Sequence, residues 1–382
     1  MEKHEERAHA LLSASGAHRW IECTPSAVLE SKFPDTTSDA AREGTLAHEL
    51  CEVKLTHVLY GKDTERAHEW IMQQELYQKE MEEHSDRYVE EIRELEGSFK
   101  LKPFIAIESR LDLSAYIPGG FGTGDCIMIG DRKLVIVDFK YGKGVPVYAE
   151  NNPQLMLYAL GAYQKYRMLY NFDVIEMKIV QPRLNLFPDW TCSLDELLAF
   201  GETVKEKAAV AIRGEGEFHP GDWCRFCRAK ATCRARADYS IQLAFAADKD
   251  PALLSYEEVG EYLRKGEHVA SWLSDLKEYA LRACLEGKEI TGWKAVHGRS
   301  VRAFDDVDAA FRDAIKAGVE EALLYERRPL TLSKVEKMMG KKAFGETLGS
   351  HVVRPPGKPT LVEASDPREA ITDTVTPEEA FQ

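Results

Sequence analysis

The chain is 382 residues long, with a formal net charge of −14 at pH 7 and a charged fraction of 30%. This length accommodates two domains and a substantial core, and the acidic balance excludes a uniformly basic surface. A local basic groove beside a metal ion can still bind phosphate, so the net charge leaves nucleic acid open as a partner.

No continuous apolar run reaches the roughly eighteen residues that a membrane-spanning helix requires. The opening residues, MEKHEERAHA, lack an apolar signal core, so export is not expected. Eight cysteines without such a signal indicate a reducing compartment, in which clustered cysteines bind metal instead of forming disulfides. We therefore expect a cytoplasmic protein with no membrane partner.

The first candidate ligand along the chain is His48, in a segment from 40 to 59 that has a helical pattern. Glu52 follows four residues later and shares its face of the helix. A lone helical histidine is usually a surface or core residue, and Glu52 is explained equally well as a solvated charge or as a support for a metal ligand. The charged stretch from 63 to 97 then predicts a packing helix or helix pair.

Three predicted strands come next. Residues 104–113 alternate between apolar and polar. Two explanations fit Glu108 within them: an approach to the active site, or a plain exposed charge, which is favoured. Residues 125–129 and 134–140 are apolar and rich in β-branched side chains, with residues 130–133 as the turn between them. These two segments predict a β-hairpin.

The hairpin brings two aspartates together. A turn centred between Asp131 and Arg132 places Asp125 opposite Asp138, with Cβ atoms roughly 5 Å apart. Like charges so close are destabilising without compensation, and a divalent cation such as Mg²⁺ or Mn²⁺ is the natural compensation. Lys140 points to the same face as Asp138, where a cation can orient a water or stabilise a phosphate.

A helix from about 152 to 166 is predicted after the hairpin, with Pro153 suited to its first turn. Gln154 and Tyr158 lie four residues apart and share one face. Without the preceding hairpin, a core tyrosine beside a surface glutamine would be an adequate explanation. A further strand is predicted over 174–180, followed by a helix over 193–213.

Together these motifs resemble the PD-(D/E)XK nuclease superfamily, most closely its RecB-like branch, which includes Cas4-like and AddB nucleases. The resemblance implies a restriction-endonuclease-like α/β core, a central mixed sheet flanked by helices. Gly44-Thr45-x-x-His48 resembles the first motif of that branch, in which the histidine binds metal. The implied metal ligands are His48, Asp125, Asp138 and the Phe139 carbonyl; the implied catalytic residues are Asp125, Asp138, Lys140, Gln154 and Tyr158, with Gln154 and Tyr158 also facing DNA.

A second motif is a cysteine cluster with the spacing C-x2-C-x5-C, formed by Cys224, Cys227 and Cys233. Zinc and iron–sulfur centres usually take four ligands, so a fourth is needed from elsewhere. Cys23 lies in a loop-like Glu-Cys-Thr-Pro setting and is the best candidate, because the other cysteines fall within patterned helices or strands. The spacing alone does not distinguish zinc from an iron–sulfur cluster.

One cysteine before the nuclease motifs and three after them resemble the iron–sulfur clasp of Cas4-like and AddB nucleases. That resemblance implies a [4Fe–4S] cluster, with Zn²⁺ as the alternative. Basic residues surround these cysteines and are candidates either for DNA-backbone contacts or for shielding a negatively charged cluster. They are Arg225, Arg228, Lys230, Arg234 and Arg236; the first three are our DNA-binding candidates.

The remaining sequence predicts a mainly helical addition and an extended or disordered tail. We expect a nuclease domain over residues 1–240, a helical region over 241–350 and a tail over 351–382. The whole chain, especially GWKAVHGRS and PPGKPTLV, resembles a phage and prophage family known as DUF2800. No G-x-x-x-x-G-K-[ST] motif occurs, so no ATPase is expected.

The sequence thus predicts a metal-dependent deoxyribonuclease, with exonuclease action favoured, that processes or recombines phage DNA in the bacterial cytoplasm. The resemblance also implies a single-strand annealing or single-strand-binding protein as a partner. The alternative is a noncatalytic nucleic-acid-binding scaffold for recombination, with a structural zinc site. Intact Asp125, Asp138 and Lys140 argue against that alternative, because a noncatalytic member would be expected to lose one of them.

Overall fold

The computed structural model describes residues 10–34, 38–245, 256–296 and 306–316, together with residues 324, 340, 344, 347, 348, 351 and 352. The chain forms two compact units, residues 1–296 and 297–382. The predicted domain boundaries after residues 240 and 350 stay predictions. Most of the predicted helical region beyond residue 316, and the predicted tail beyond residue 352, lie outside the described residues.

A mixed five-stranded sheet occupies the centre of the first unit. Its order is β1-β2-β3-β4-β5; β1, β2 and β3 are antiparallel, β4 is parallel to β3, and β5 is antiparallel to β4. The strands are β1 (Phe104–Asp112), β2 (Phe121–Gly130), β3 (Lys133–Phe139), β4 (Val174–Val180) and β5 (Asp189–Ser193). The predicted α/β class and the first four strands are confirmed, whereas β5 was not predicted.

Helices precede and follow the antiparallel strands. Those before the sheet are α1 (Ala17–Glu22), α2 (Ser26–Glu30), α3 (Asp39–Tyr60), α4 (Glu65–Met72) and α5 (Glu80–Gly97). Those after β3 are α6 (Pro153–Tyr166), α7 (Leu194–Ala211), α8 (Arg234–Phe245) and α9 (Tyr256–Leu285), with α10 (Val307–Lys316) in the second unit. The stretch from 63 to 97 is a helix pair. Among the described residues, no helix is both long and apolar enough to span a bilayer.

Alternate residues of β2 and β3 pack into two separate hydrophobic clusters. Ile127 and Ile136 belong to the cluster that includes α1, α6 and α7, whereas Met128 and Val135 belong to the cluster that includes α3, α4 and α5. Both faces of these strands are therefore buried, which explains their nearly continuous apolar sequence. The sheet is the middle layer between helices.

The hairpin has the predicted register. Cys126 pairs with Val137, and the turn residues Asp131 and Arg132 have φ of 50° and 59°, as in the two-residue turns that match strand twist. One residue beyond the Cys126–Val137 pair, this register places Asp125 opposite Asp138. The connection from β3 to the parallel strand β4 contains α6, and Gln154 on α6 contacts Asp138 near the end of β3.

Candidate functional site

The Asp125 carboxylate is contacted by residues of β3 and of α3. Its Oδ2 accepts a hydrogen bond from the backbone N–H of Phe139 at 2.7 Å, and it lies 3.4 Å from Nδ1 of His48 on α3. The His48 ring also packs edge-on against the Phe139 ring. Packing of α3 therefore brings His48 to the hairpin, and its role as a metal ligand, which the resemblance implies, stays a prediction.

Glu108 joins this pair, contrary to the expectation of a plain exposed charge. One ligand atom from each of His48, Glu108 and Asp125 lies within 4.8 Å of the other two. Glu108 is partly buried and lies in β1 between Ile107, which pairs with Cys126, and Ser109, which pairs with Gly124. It therefore faces Asp125. The sequence left this approach as the less favoured explanation of Glu108, because nothing in it specifies the register of β1 against β2.

The backbone of Glu108 is unusual for a strand. Its φ is 44°, in the left-handed region, although the pairing register is the same on both sides of it. A non-glycine residue in that region costs about 1–3 kcal/mol, and such residues cluster at functional sites. The strain coincides here with the acidic group.

Asp138 belongs to an adjoining network with Lys140 and Gln154. Its side chain is 2% exposed, with Oδ2 at 2.9 Å from Nζ of Lys140 and Oδ1 accepting a hydrogen bond from Nε2 of Gln154 at 3.2 Å. Lys140 in turn donates to Oε1 of Gln154 at 3.1 Å. Asp138 Oδ2 is buried and accepts no hydrogen bond of normal geometry, so the Lys140 ammonium is the charge that balances it beside the first group.

The first turns of α6 position Gln154. Asn152 caps the helix, because its side chain accepts hydrogen bonds from the N–H groups of Gln154 and Leu155. Nε2 of Gln154 also donates to the Tyr158 hydroxyl at 3.0 Å. Tyr158 is 7% exposed, so it acts in the site through Gln154, and direct DNA contact by Tyr158 stays a prediction.

Burial and neighbouring charges shift the pKa values of the site. Burial raises the pKa of Asp125 to about 6, with Asp138 adding to the rise and His48 opposing it. Burial alone would lower the pKa of Lys140, but Asp138 and Asp125 more than offset that effect and raise it. Lys140 is therefore a cation at neutral pH.

Glu52, the other candidate on α3, is not part of the group formed by His48, Glu108 and Asp125.

The four predicted cluster ligands line one cavity. Cys23 follows α1, and Cys224, Cys227 and Cys233 come from the short 3-10 helix Asp222–Phe226 and the turns after it. The thiols are free, and among the described residues no three of them have sulfur atoms within 4.8 Å of one another. The other cysteines, Cys51, Cys126, Cys192 and Cys284, do not line this cavity.

Direct hydrogen bonds also join the two ends of the domain beside these cysteines. The buried Glu30 accepts hydrogen bonds from Nε of Arg19 at 2.6 Å and from the backbone N–H of Arg228 at 2.8 Å. The Thr24 hydroxyl donates to the Glu215 carbonyl at 2.7 Å. The N-terminal helices are thus attached to the cysteine segment even without a metal.

The surrounding basic residues separate into two groups. Arg236 is 7% exposed and donates to Oδ2 of Asp275 on α9 at 2.6 Å, while Lys230 lies 2.9 Å from the other oxygen of Asp275. Arg225, Arg228 and Arg234 are exposed. Buried Arg236 therefore joins the cysteine segment to α9, and DNA contact by Arg225, Arg228 and Lys230 stays a prediction.

Burial raises the pKa of three of the thiols. The pKa of Cys227 rises to about 12 through burial first and the nearby Glu30 second. Burial likewise raises the pKa of Cys23 and of Cys224. The positive charge of Arg236 offsets part of the rise in the pKa of Cys224. A metal centre would provide the positive charge that stabilises these thiols as thiolates.

Comparison with known proteins gives a family and a structural similarity. A solved structure described as the crystal structure of SSO0001 is 15% identical, and the match covers 56% of this chain and 95% of that chain with a TM-score of 0.25. The family model described as protein of unknown function (DUF2800) matches residues 9–369. Because that match spans nearly the whole sequence, the chain belongs to the DUF2800 family.

Proposed function

We propose that this chain is a metal-dependent deoxyribonuclease of PD-(D/E)XK type. The observation that carries the proposal is the convergence of His48, Glu108 and Asp125 beside the Asp138–Lys140 pair. A group of acidic side chains next to a single, partly buried lysine is the arrangement expected for metal-assisted attack on a phosphate. The order of elements also supports it: α3, three antiparallel strands, α6 and a parallel strand.

The residues present fit a hard divalent cation. Carboxylate oxygens suit Mg²⁺ and Mn²⁺, and an imidazole is compatible with Mn²⁺ in particular. His48, Glu108 and Asp125 would hold the ion, with Asp138 and the Phe139 carbonyl as further ligands. Oδ2 of Asp138 accepts no hydrogen bond of normal geometry, so a lone pair of this oxygen is left for such an ion beside the Lys140 contact. When bound, the ion supplies activation of a water molecule and charge neutralisation at the phosphate.

The protein's own groups have distinct tasks in this mechanism. Lys140, held as a cation by Asp138, orients the attacking water or stabilises the negative charge that develops on the phosphate. Gln154 contacts both of these side chains and so fixes their separation. Tyr158 fixes the amide of Gln154 in turn. Each contact restricts a rotatable side chain before substrate binds.

We propose a [4Fe–4S] cluster at the four cysteines. The four thiols line one cavity, and the resemblance to the clasp of Cas4-like and AddB nucleases favours iron–sulfur there, with zinc as the alternative. Cys23 and Cys224 come from opposite ends of the nuclease domain, so the centre would close it.

The biological setting is part of the proposal. The resemblance to phage and prophage proteins supports DNA processing or recombination, with exonuclease action and a single-strand annealing partner; the family itself is described only as of unknown function. Exposed Arg225 and Arg228 would contribute to the DNA surface. A noncatalytic scaffold with structural zinc is the competing function.

The deciding experiment is cleavage of end-labelled single- and double-stranded DNA with Mg²⁺, Mn²⁺ or EDTA. The wild-type protein should cleave only with metal, and Asp138→Asn should abolish cleavage while leaving the thermal unfolding profile in EDTA close to wild type. A matched control is Asp195→Asn at the start of α7, because the register places Ser193 level with Val174 and Lys133, at the end of β3 away from Asp138. DNA binding without any cleavage would favour the scaffold, and full activity in Asp138→Asn would reject the site.

A further inference from the structure

The segment between Lys140 and α6 is held by a glutamine that the proposed chemistry does not use. Gln181, immediately after β4, is 1% exposed. Its Nε2 donates to the carbonyls of Gly142 at 2.7 Å and Val145 at 2.9 Å, and its Oε1 accepts from the Val147 N–H at 3.0 Å. All three bonds go to the backbone of one loop, so this side chain determines the path of residues 142–147.

Both ends of the loop are anchored as well. The Lys140 N–H donates to the Val180 carbonyl at 2.9 Å, next to Gln181 in the chain. At the far end, Nδ2 of Asn152 donates to the Tyr148 carbonyl at 2.9 Å. A surface loop fixed at three places is preorganised, so its outer side keeps one shape before any ligand arrives.

The outer side of this loop is the sequence Gly142-Lys143-Gly144, and these residues are exposed. Neither glycine lies in the left-handed region, and a Cβ at either position would meet no atom within 4 Å. Folding therefore does not require glycine there. Glycine also allows a ligand to approach the backbone closely, and this is the remaining explanation for glycine at positions 142 and 144.

Lys143 differs from other cations near the site. Arg183 is paired with Glu43 and Glu80, and Lys178 with Glu91. Within the part of the chain that the structure describes, Lys143 has no ion-pair partner. In a chain of net charge −14, an unpaired cation on a fixed, exposed loop is a suitable site for an anion.

We propose that residues 142–144 bind a backbone phosphate of the substrate strand through Lys143, and that Gln181 is the positioning residue for this contact. The inference rests on the proposed nuclease function and adds a substrate contact outside the acidic group. Lys143 is three residues after Lys140, so their Cα atoms are at most roughly 11 Å apart. Consecutive phosphates of one strand advance about 3.4 Å along the duplex axis, so a neighbouring phosphate is within that reach.

The test measures DNA affinity separately from cleavage. A fluorescently end-labelled single-stranded oligonucleotide is titrated with protein in Mg²⁺, at salt concentrations from 50 to 200 mM. The parent protein is the Asp138→Asn variant. Three double variants add Lys143→Ala, Lys143→Arg or Lys207→Ala to it. Lys207 is exposed on α7, so its removal is a matched change of charge. Loss of one phosphate contact to a single strand should reduce the slope of log K against log salt by about 0.7, which makes the affinity deficit shrink about two- to threefold over this range.

Lys143→Arg should retain most of the affinity and Lys207→Ala should retain all of it. In the otherwise wild-type enzyme, Lys143→Ala should raise KM and leave kcat nearly unchanged. An affinity and salt slope for Lys143→Ala equal to those of Lys207→Ala would overturn the inference and leave the nuclease proposal intact. Absence of DNA binding by every variant, including the parent, would overturn both.

Gln181→Met tests the positioning role, because it keeps the length of the side chain and removes all three hydrogen bonds. Hydrogen exchange at the Val147 amide should accelerate, and the DNA affinity should fall as it does in Lys143→Ala, without additional loss in the double variant. Unchanged Val147 exchange, or a further loss in the double variant, would contradict the role of Gln181. If Gln181→Met does not fold, the Lys143 variants decide the inference.

Discussion

The ring of Tyr158 occupies the space in which a side chain at Gly122 would begin. A Cβ added to Gly122 would lie 2.7 Å from Cε1 of Tyr158, closer than van der Waals contact allows. Gly122 is on β2 three residues before Asp125, and Tyr158 holds the amide of Gln154. The glycine is therefore needed for close packing of α6 on the hairpin.

Gly122→Ala should displace Tyr158 and disturb Gln154, with a loss of about 1–3 kcal/mol in stability and a larger relative loss of nuclease activity. The measurements are chemical unfolding and cleavage rate. Gly260→Ala is the control, because a Cβ there meets nothing within 4 Å and alanine favours a helix. In a Tyr158→Ala background the Gly122→Ala penalty should largely disappear; equal penalties in both backgrounds would contradict the contact.

Glu108→Gln should weaken binding of Mn²⁺ by about ten- to a hundredfold, because it removes one charge from the group with His48 and Asp125. Isothermal titration with Mn²⁺ gives the affinity. Glu52→Gln is the matched control: it lies on the same helix as His48 but outside the group, and it should bind as the wild type does. Similar affinities for both variants would remove Glu108 from the site.

The affinity for Mn²⁺ should depend on pH through Asp125. Burial raises the pKa of its carboxyl to about 6, so below that pH the protein without metal holds a proton that the cation must displace. The dissociation constant should therefore rise about tenfold for each pH unit below 6 and level off above it. Titration in buffers of different ionisation enthalpy should detect release of one proton near pH 5. No proton release would mean that Asp125 is not a ligand.

Cys23→Ser should lower the iron and sulfide content and the stability together. A centre joining Cys23 to Cys224 closes most of the nuclease domain into one loop, worth roughly 5 kcal/mol by analogy with a disulfide of that span. Cys284→Ser, outside the cavity, is the control. The protein purified anaerobically should be brown. Colourless protein with one zinc per chain would reject iron–sulfur, and full metal content in Cys23→Ser would reject Cys23 as a ligand.

Asp275→Asn should destabilise the packing of α9 on the cysteine segment. It leaves Arg236, 8% exposed in its side chain, without its carboxylate partner, and breaking such a buried pair costs roughly 3 kcal/mol. Urea unfolding measures the loss. The control is Glu278→Gln, whose ion pair with Arg282 is exposed and whose removal should cost well under 1 kcal/mol. Equal effects would show that Asp275 does not brace this helix.

The sequence by itself determined the hairpin and what it brings together. Local rules were sufficient there, because β-branched runs, a two-residue turn and a period of two residues specify both the register and the face of each side chain. Those rules place Asp125 opposite Asp138 and put Lys140 on the same face as Asp138. Helical spacing likewise places Gln154 and Tyr158 on one face of α6. The spacing of Cys224, Cys227 and Cys233 was equally local.

Only the tertiary structure decided which separate segments meet. The pairing of β1 with β2 brought Glu108 to Asp125, and packing of α3 brought His48 there. The attachment of residues 142–147 by Gln181 depends on the parallel pairing of β3 and β4 across a helical crossover. Such contacts join residues far apart in the chain, and their register is set by side-chain packing on both faces of the sheet, which has no signature in any short stretch of sequence.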